Sequence, residues 1–423
     1  MTFRVTLPLL ALFLAVLPAC GDASDDSSAA GGFGASGGNG FGDGRGGRSG
    51  SNLPGGGSAP TVVGGASANP GNGGYAEDTA GSTSLGAAPP PVWNSAKSAT
   101  ISEAWLQGEY SSWKAKFVEP CANGSLAVVT DGSVLSEGIG YGMLLSVAMA
   151  DQPLFDGLWK YYQDHLGKNG LMNSRTAKCE APGNNSNAAA ADADLDATMA
   201  LLQAAALWPN APTLYRAKAE VQASKIIEFE SDMCDGRRIL RPGDTFGGCS
   251  DVSDPRINPS YFSPGYYKVF AQAFSAQAAS WTALSDGSYQ LYAIYQARMD
   301  NLVPDWSRPD GSDSGSQYSS DACRTPWRVA VDYAWTGDTR AKTFMQNMSG
   351  WVDAHGGLPE AAQQQNSAFI GGFALAGGYD QGKLDGYVTA WLSASSLDDS
   401  QYRQATLRVL YLLVAAGKFS STL

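Results

Sequence analysis

The sequence predicts an all-α protein whose helices form a closed toroid. About twelve stretches carry apolar residues at spacings of three and four, as in Leu144, Val147 and Ala148, which indicates helices with a buried face. Strand signals are confined to short pieces such as residues 126–130, so strands do not alternate with helices. An even set of antiparallel helices favours either a toroid of helix hairpins or a solenoid. No repeat of fixed period is present, which favours the toroid.

Loops of very unequal length separate the predicted helices. Asp151, Asp286, Asp338 and Asp399 stand at four predicted starts and have the side chain that caps a helix N-terminus. Long loops at one end of a toroid are expected to build the functional site. The predicted helices cover residues 98–117, 138–150, 153–166, 194–208, 212–230, 265–281, 286–302, 324–336, 338–353, 366–377, 381–394 and 399–416.

The N-terminus is typical of an export signal. In residues 1–20, Arg4 is the sole charged side chain, residues 9–17 are continuously apolar, and a small residue precedes Cys20. The end of this segment resembles a bacterial lipobox, although Pro18 replaces the usual small or aliphatic residue. It predicts cleavage before Cys20 and lipidation of that cysteine, with ordinary secretion as the alternative. The expected location is therefore extracellular or in the cell envelope, with attachment through a lipid anchor. The sequence does not indicate which membrane leaflet the lipid would occupy.

Residues 21–95 are predicted to be a disordered tether. Gly, Ser, Ala, Asn and Pro dominate this stretch, and it has too few large apolar residues to offset the entropy of ordering. Residues 96–423 are long enough to bury a sizeable core as one domain. We expect a monomer.

Composition excludes several kinds of partner. The net charge is −12 with 28 Lys and Arg, and no basic run is present, so binding to nucleic acid is not expected. The sequence has only two histidines, His165 and His355, and no paired Cys-x-x-Cys motif. A metal site is therefore not expected, and both histidines are predicted to be structural or surface residues.

The cysteines outside the export signal are expected to form disulfides in an oxidising compartment. Cys234 and Cys249 flank a Gly- and Asp-rich loop and are the best pair by proximity. Cys121 with Cys179 is a weaker hypothesis, because connectivity does not follow from sequence. Cys323 is expected to be a small buried residue without a disulfide.

Acidic residues lie at or just before the starts of three predicted helices. They occur in residues 136–138, 192–196 and 320–324. Hydrolysis of a glycosidic bond needs one protonated carboxyl to supply the leaving oxygen with a proton and one carboxylate to activate water or attack carbon. Any one of these acids alone is more often a helix cap, because free amides at helix starts favour carboxylates.

Four sequence blocks follow one another within residues 98–416. They are residues 136–145 (SEGIGYGMLL) with 154–159 (LFDGLW), residues 191–196 (ADADLD) running on to Trp208, residues 258–264 (NPSYFSP) and residues 321–328 (DACRTPWR). Together, and in this order, they resemble glycoside hydrolase family 8. Two positions depart from the family pattern: Ala191 replaces a Ser or Thr, and Ser320, just before the last block, replaces a common tyrosine.

This resemblance implies an (α/α)6 barrel and cleavage with inversion at the anomeric carbon. Inversion needs the two carboxyls about 6.5–9.5 Å apart so that water fits between the base and the sugar. By motif position, Glu137 would be the general acid and Asp321 the general base.

The resemblance also implies substrate-binding residues. Asp192 would hold the sugar at the point of cleavage, and Asp194 is the second choice for that role. Tyr261 would lie near the water or the sugar ring. Arg324 would keep Asp321 ionised and oriented.

The expected activity is internal cleavage of a β-1,4-glucan of the cellulose type, without a cofactor. Xylan, chitosan and mixed-linkage β-glucan are alternative substrates, since no motif identifies the residues that select among them. A surface carbohydrate-binding protein without catalysis is an alternative of another class. The carboxyl pair argues against it, because binding alone does not need one. Trimming of nascent cellulose would use the same chemistry.

Overall fold

A computed structural model describes residues 92–183, 188–359, 367–395 and 401–421. The predicted export signal, Cys20 and the predicted tether up to residue 91 lie outside the described residues, as does Asp399.

The described residues contain twelve α-helices. Ser102, Asp151 and Asp338 cap α1, α3 and α9, each accepting a hydrogen bond from a backbone amide in the first turn. The helices are α1 (Glu103–Phe117), α2 (Ser136–Ala148), α3 (Gln152–Asp164), α4 (Ala191–Leu207), α5 (Tyr215–Phe229), α6 (Pro264–Ala273), α7 (Ala278–Arg298), α8 (Thr325–Thr336), α9 (Thr339–Ala354), α10 (Ser367–Leu375), α11 (Gln381–Ala394) and α12 (Tyr402–Ala415).

The even-numbered helices form an inner ring. In the order α6, α8, α10, α12, α2 and α4, each helix contacts the next. Arg328 of α8 links the two ends of this series, because it binds Asp196 of α4 and its guanidinium lies 5.6 Å from the ring of Tyr266 in α6. Each odd-numbered helix packs outside: α1 on α12, α3 on α2, α5 on α4, α7 on α6, α9 on α8 and α11 on α10. The predicted toroid is therefore confirmed as an (α/α)6 barrel.

The inner helix α4 is buried on every side over most of its length, because it has neighbours around its circumference. Every residue of α4 from Ala191 to Ala204 is buried. Small residues let the inner helices approach, since a Cβ on Gly140 of α2 would lie 2.9 Å from the carbonyl oxygen of Ala193 in α4. Despite this burial, none of the described helices is long and apolar enough to cross a membrane.

Three antiparallel pairs of short strands lie in the loops. They are β1 (Val118–Pro120) with β2 (Leu126–Val128), β3 (Ser133–Leu135) with β4 (Arg175–Ala177), and β5 (Ser231–Cys234) with β6 (Arg237–Leu240). β2 confirms most of the strand predicted at residues 126–130. β3 ends at Leu135 and α2 begins at the next residue, so the β3–β4 pair holds the start of α2.

Both predicted disulfides are present. One joins Cys121 to Cys179 and the other joins Cys234 to Cys249. Cys323 is buried with a free thiol, as predicted.

Several helix boundaries and one cap were predicted wrongly. The first helix begins at Glu103 rather than at residue 98, because Ser102 caps it. The helix predicted over residues 265–281 ends at Ala273, and α7 already begins at Ala278. Asp286 therefore lies inside α7, where its carboxylate pairs with Arg340 at 2.7 Å instead of capping a helix.

Candidate active site

Three acidic side chains converge on one arginine at the N-terminal ends of inner helices. Glu137 lies in the first turn of α2 and Asp192 in the first turn of α4. Asp321 and Arg324 lie in the short turn that leads into α8. None of these three starts has a side-chain cap. The acids are therefore directed into the site instead of serving as caps.

The guanidinium of Arg324 binds all three carboxylates. Its Nη1 donates to Oε2 of Glu137 at 2.9 Å and to Oδ2 of Asp192 at 3.0 Å. Its Nη2 donates to Oδ1 of Asp321 at 2.7 Å. Glu137 and Asp321 thus occupy different nitrogens of one planar group, which holds them apart across a single guanidinium.

Exposure separates the three carboxyls into two kinds. The side chains of Glu137 and Asp321 are 17% and 23% exposed, whereas that of Asp192 is 3% exposed. Glu137 and Asp321 can therefore reach a solvent-borne substrate and water, while Asp192 lies beneath them.

Asp321 is surrounded by donors. Oδ1 accepts a second hydrogen bond, from Nη2 of Arg403 in α12 at 3.1 Å, and Oδ2 accepts one from Nδ2 of Asn258 at 3.0 Å. Burial raises the pKa of Asp321, but the charges of Arg324 and Arg403 outweigh burial and leave the pKa below its usual value. Asp321 is therefore ionised and suited to accept a proton from water.

Asp305 holds the turn that carries Asp321. Its Oδ1 accepts backbone hydrogen bonds from Ser319 at 3.0 Å, Asp321 at 3.1 Å and Ala322 at 2.7 Å. Burial and the charge of Asp321 raise the pKa of Asp305 to about 6. The position of Asp321 is thus set through both its backbone and its carboxylate.

Asp192 has an unused acceptor. Its Oδ1 is buried without a hydrogen-bond partner, while Oδ2 binds Arg324. Burial is the largest cause that raises the pKa of Asp192 to about 6, with Arg324 opposing it and Glu137 adding to it. A buried acceptor without a donor is costly, so Oδ1 can accept a hydrogen bond from a donor that enters the site.

Tyr261 lies against the arginine that organises the site. The centre of its ring is 5.2 Å from the Arg324 guanidinium. Burial, followed by the charges of Asp192 and Asp321, raises the pKa of Tyr261 well above its usual value. Its hydroxyl therefore stays protonated and can donate to a bound water or sugar oxygen.

The sequence model of glycosyl hydrolases family 8 matches residues 91–417 of this chain. The chain belongs to that family. It is therefore a glycoside hydrolase.

Two related endoglucanases agree with this family membership. Endoglucanase A of Acetivibrio thermocellus is 33% identical over 76% of this chain and 70% of its own length. Endoglucanase 2 of Ruminiclostridium josui is 32% identical over 74% of this chain and 71% of its own length.

A solved structure shares the fold. The β-1,3-1,4-glucanase from Paenibacillus sp. X4 superposes with a TM-score of 0.66 at 23% identity, over 78% of this chain and 97% of its own. This likeness supports the barrel architecture.

Asp194 does not join the family 8 acid cluster. Its Oδ1 accepts hydrogen bonds from the hydroxyl of Tyr162 and from the backbone of Met172, the latter at 3.3 Å. Asp194 follows Asp192 by two residues on α4, and residues two apart on a helix face different directions. The structure therefore places Asp192, the first choice for sugar binding, at Arg324 and places Asp194 elsewhere.

Asp194 faces a second buried carboxyl, Glu230. Both side chains are fully buried, and Oδ2 of Asp194 and both oxygens of Glu230 lack a hydrogen-bond donor. Burial raises the pKa of Asp194 to about 7, and burial and the charge of Asp194 raise the pKa of Glu230 well above its usual value. One proton shared by the pair would supply the missing donor.

We expect Glu230→Gln to stabilise the hydrolase at alkaline pH. Because both carboxyls have raised pKa values, the folded state holds a proton that the unfolded chain releases above pH of about 4. The contribution of this pair to the free energy of unfolding is therefore fully present at low pH and is lost as pH rises through about 7. The Gln amide donates without a titrating proton, so the free energy of unfolding at pH 8 should rise by about 1–3 kcal/mol. Urea unfolding between pH 4 and pH 8 measures this.

Glu228→Gln is the matched control, because Glu228 lies in the last turn of α5, two residues before Glu230, and is exposed. Asp192 and Asp305, whose pKa values are both raised to about 6, contribute to the same pH dependence. Glu230→Gln should therefore flatten the decline without abolishing it. An unchanged decline in the variant would contradict a shared proton.

Sequence reasoning missed several polar residues at the family 8 site. Arg403 and Asn258 bind Asp321, and Asp305 holds its backbone. Tyr402 packs on α2, where a Cβ on Gly138 would lie 2.8 Å from its hydroxyl oxygen. Asn258 stands in a family-like block and could have been found there, whereas nothing near Arg403 in the sequence marks it.

Within the described residues, one group of three His, Cys, Asp or Glu side chains has its potential ligand atoms within 4.8 Å of one another. It consists of Asp232, Cys234 and Cys249. The two cysteines form a disulfide, so their sulfurs are not available as thiolate ligands.

Proposed function

We propose that the enzyme cleaves internal β-1,4 bonds of a cellulose-type glucan with inversion, using Glu137 as general acid and Asp321 as general base. The observation that carries this proposal is the binding of the two more exposed carboxyls to different nitrogens of Arg324. An inverting hydrolase needs two such carboxyls with room for a water between one of them and the sugar.

In the proposed step, Glu137 donates its proton to the glycosidic oxygen as the bond from that oxygen to the anomeric carbon breaks. A water attacks the opposite face of that carbon and gives its proton to Asp321. Asp192 Oδ1 accepts a hydrogen bond from a hydroxyl of the distorted sugar, and this bond strengthens as positive charge develops on the ring. The two proton transfers leave Glu137 ionised and Asp321 protonated, and exchange with solvent restores both.

Charge balance supports a site that holds one mobile proton. Glu137, Asp192 and Asp321 together carry three negative charges when ionised, whereas Arg324 and Arg403 supply two positive charges beside them. Like charges packed closely disfavour full ionisation, so one carboxyl of the group should hold a proton.

The names of relatives support a glucan over other polymers. The two relatives described above, at 33% and 32% identity, are both endoglucanases. The reducing-end xylose-releasing exo-oligoxylanase Rex8A of Paenibacillus barcinonensis is 26% identical over 56% of this chain. Xylose differs from glucose in lacking the hydroxymethyl group, so xylan is the nearest rival substrate.

We expect residues 96–423 to reduce the viscosity of carboxymethylcellulose rapidly while few reducing ends appear, because internal cuts shorten chains faster than they release sugars. Xylan, chitosan and lichenan serve as parallel substrates, and proton NMR of the first products reports the anomer. An α-anomer from a β-linked chain indicates inversion.

The outcomes separate the alternatives. Activity on xylan or chitosan alone would keep the mechanism and change the substrate, and preference for lichenan would indicate a mixed-linkage glucanase. A β-anomer as the first product would contradict the inverting mechanism. Binding to these polymers without any cleavage would indicate a carbohydrate-binding protein.

A further inference from the structure

The two arginines at the site differ in the carboxyls that they bind. Arg324 donates to Glu137, Asp192 and Asp321 alike, and to the hydroxyl of Ser260 at 3.0 Å. The hydrogen bond of Arg403 to this group goes to Asp321. Arg324 touches both the proposed acid and the proposed base, so it does not by itself determine which of them keeps the proton.

We infer that Arg403 is a positioning residue that orients the carboxylate of Asp321 and keeps it ionised to act as the base. This inference rests on the proposed roles of Glu137 and Asp321. It assigns a part in proton transfer to α12, whose Arg403 lies 82 residues beyond the base in sequence.

The geometry also determines which oxygen of Asp321 can act. Oδ1 accepts from Nη2 of Arg324 at 2.7 Å and from Nη2 of Arg403 at 3.1 Å. Oδ2 accepts from the neutral amide of Asn258 alone among the hydrogen bonds that the described residues make to it. Two cationic donors occupy the lone pairs of Oδ1, so Oδ2 is the oxygen with capacity to accept a proton from water.

Charged neighbours approach Asp321 from several elements. Arg324 and Arg403 favour its ionised form, and the carboxylate of Asp305 opposes them. The other titratable groups near the site are Glu137 and Asp192 across Arg324, the hydroxyls of Tyr141, Tyr261 and Tyr402, and the thiol of Cys323. Arg403 is therefore one of two cations that balance a predominantly anionic surrounding. The side chain of Arg403 is 25% exposed, so water screens part of its effect.

The test is the pH dependence of kcat/KM on soluble glucan. The acid limb of this profile reports the pKa of the base in the free enzyme. We expect Arg403→Met to move the acid limb upward by about one pH unit, because an adjacent opposite charge lowers a carboxyl pKa by about 1–3 units. Arg403→Lys keeps the charge and should restore most of the wild-type limb. Both limbs are recorded, because Arg403 also interacts with the charge of Glu137.

Arg340→Met is the matched control. Arg340 also binds two aspartates, Asp286 and Asp338, but is exposed on the outer helices. Its loss should leave both limbs in place. If Arg403→Met does not fold, as judged by circular dichroism, Arg403→Gln keeps N–H donors without the charge and should give the same shift.

The inference is overturned if a folded Arg403→Met or Arg403→Gln variant has the same acid limb as the wild type. Asp321→Asn distinguishes this failure from failure of the proposed function. An inactive Asp321→Asn with an unshifted Arg403→Met limb removes only the role of Arg403, whereas an active Asp321→Asn removes Asp321 as the base.

Discussion

Glu137→Gln is expected to lower kcat on β-glucan by about 10²–10⁴-fold, the usual effect of removing a general acid. Gln has the shape of Glu, and its amide oxygen can still accept the hydrogen bond from Nη1 of Arg324, which is 2.9 Å long in the native protein. It has no proton to give to the leaving oxygen. KM should change much less than kcat, because the missing interaction belongs to the transition state.

A change of leaving group makes this prediction specific. A dinitrophenyl cellobioside releases a stable phenolate that does not need protonation, so Glu137→Gln should retain most of the native activity on it. Glu103→Gln is the control, because Glu103 also lies in the first turn of a helix but is 84% exposed. Native turnover of glucan by Glu137→Gln would show that another group is the acid.

Asp321→Asn is expected to lower kcat by about 10²–10⁴-fold on glucan and on the dinitrophenyl glycoside alike. Attack by water is needed for both substrates, and a neutral amide cannot take the proton from that water. The substituted side chain can still accept hydrogen bonds from Arg324 and Arg403 through its carbonyl oxygen. Steady-state kinetics on the two substrates measure the effect.

Asp313→Asn is the control for this substitution, since Asp313 is exposed in the loop that precedes the base. Recovery of activity on the dinitrophenyl glycoside by Asp321→Asn would assign Asp321 to the leaving group instead of the water. Equal loss on both substrates, together with the selective loss in Glu137→Gln, would assign the two roles separately.

The toroid could be predicted from sequence because about twelve helical stretches occur without alternating strands or a repeat of fixed period. The (α/α)6 arrangement was implied by the resemblance to family 8. Local signals were less reliable at boundaries. The helix predicted over residues 265–281 breaks between Ala273 and Ala278, although the residues there do not include a proline or glycine.

The sequence motif and the helical periodicity could not decide between Asp192 and Asp194 as the residue at the site. Both acids lie in the first turn of α4, and the sequence favours Asp192 only through resemblance. The rotation of α4 within the ring directs Asp192 to Arg324 and directs Asp194 to Tyr162 and Met172. That rotation depends on packing against α2, where Gly140 permits close approach.

The sequence by itself determined the helical class and the blocks that contain Glu137, Asp321 and Arg324, and it offered the two disulfide pairings only as hypotheses. Tertiary structure alone decided that Arg403 and Asn258 meet at Asp321, although they lie 82 and 63 residues away from it along the chain. The physical reason is that periodicity defines which side of a helix is buried, whereas closure of the whole ring defines which neighbour that side meets.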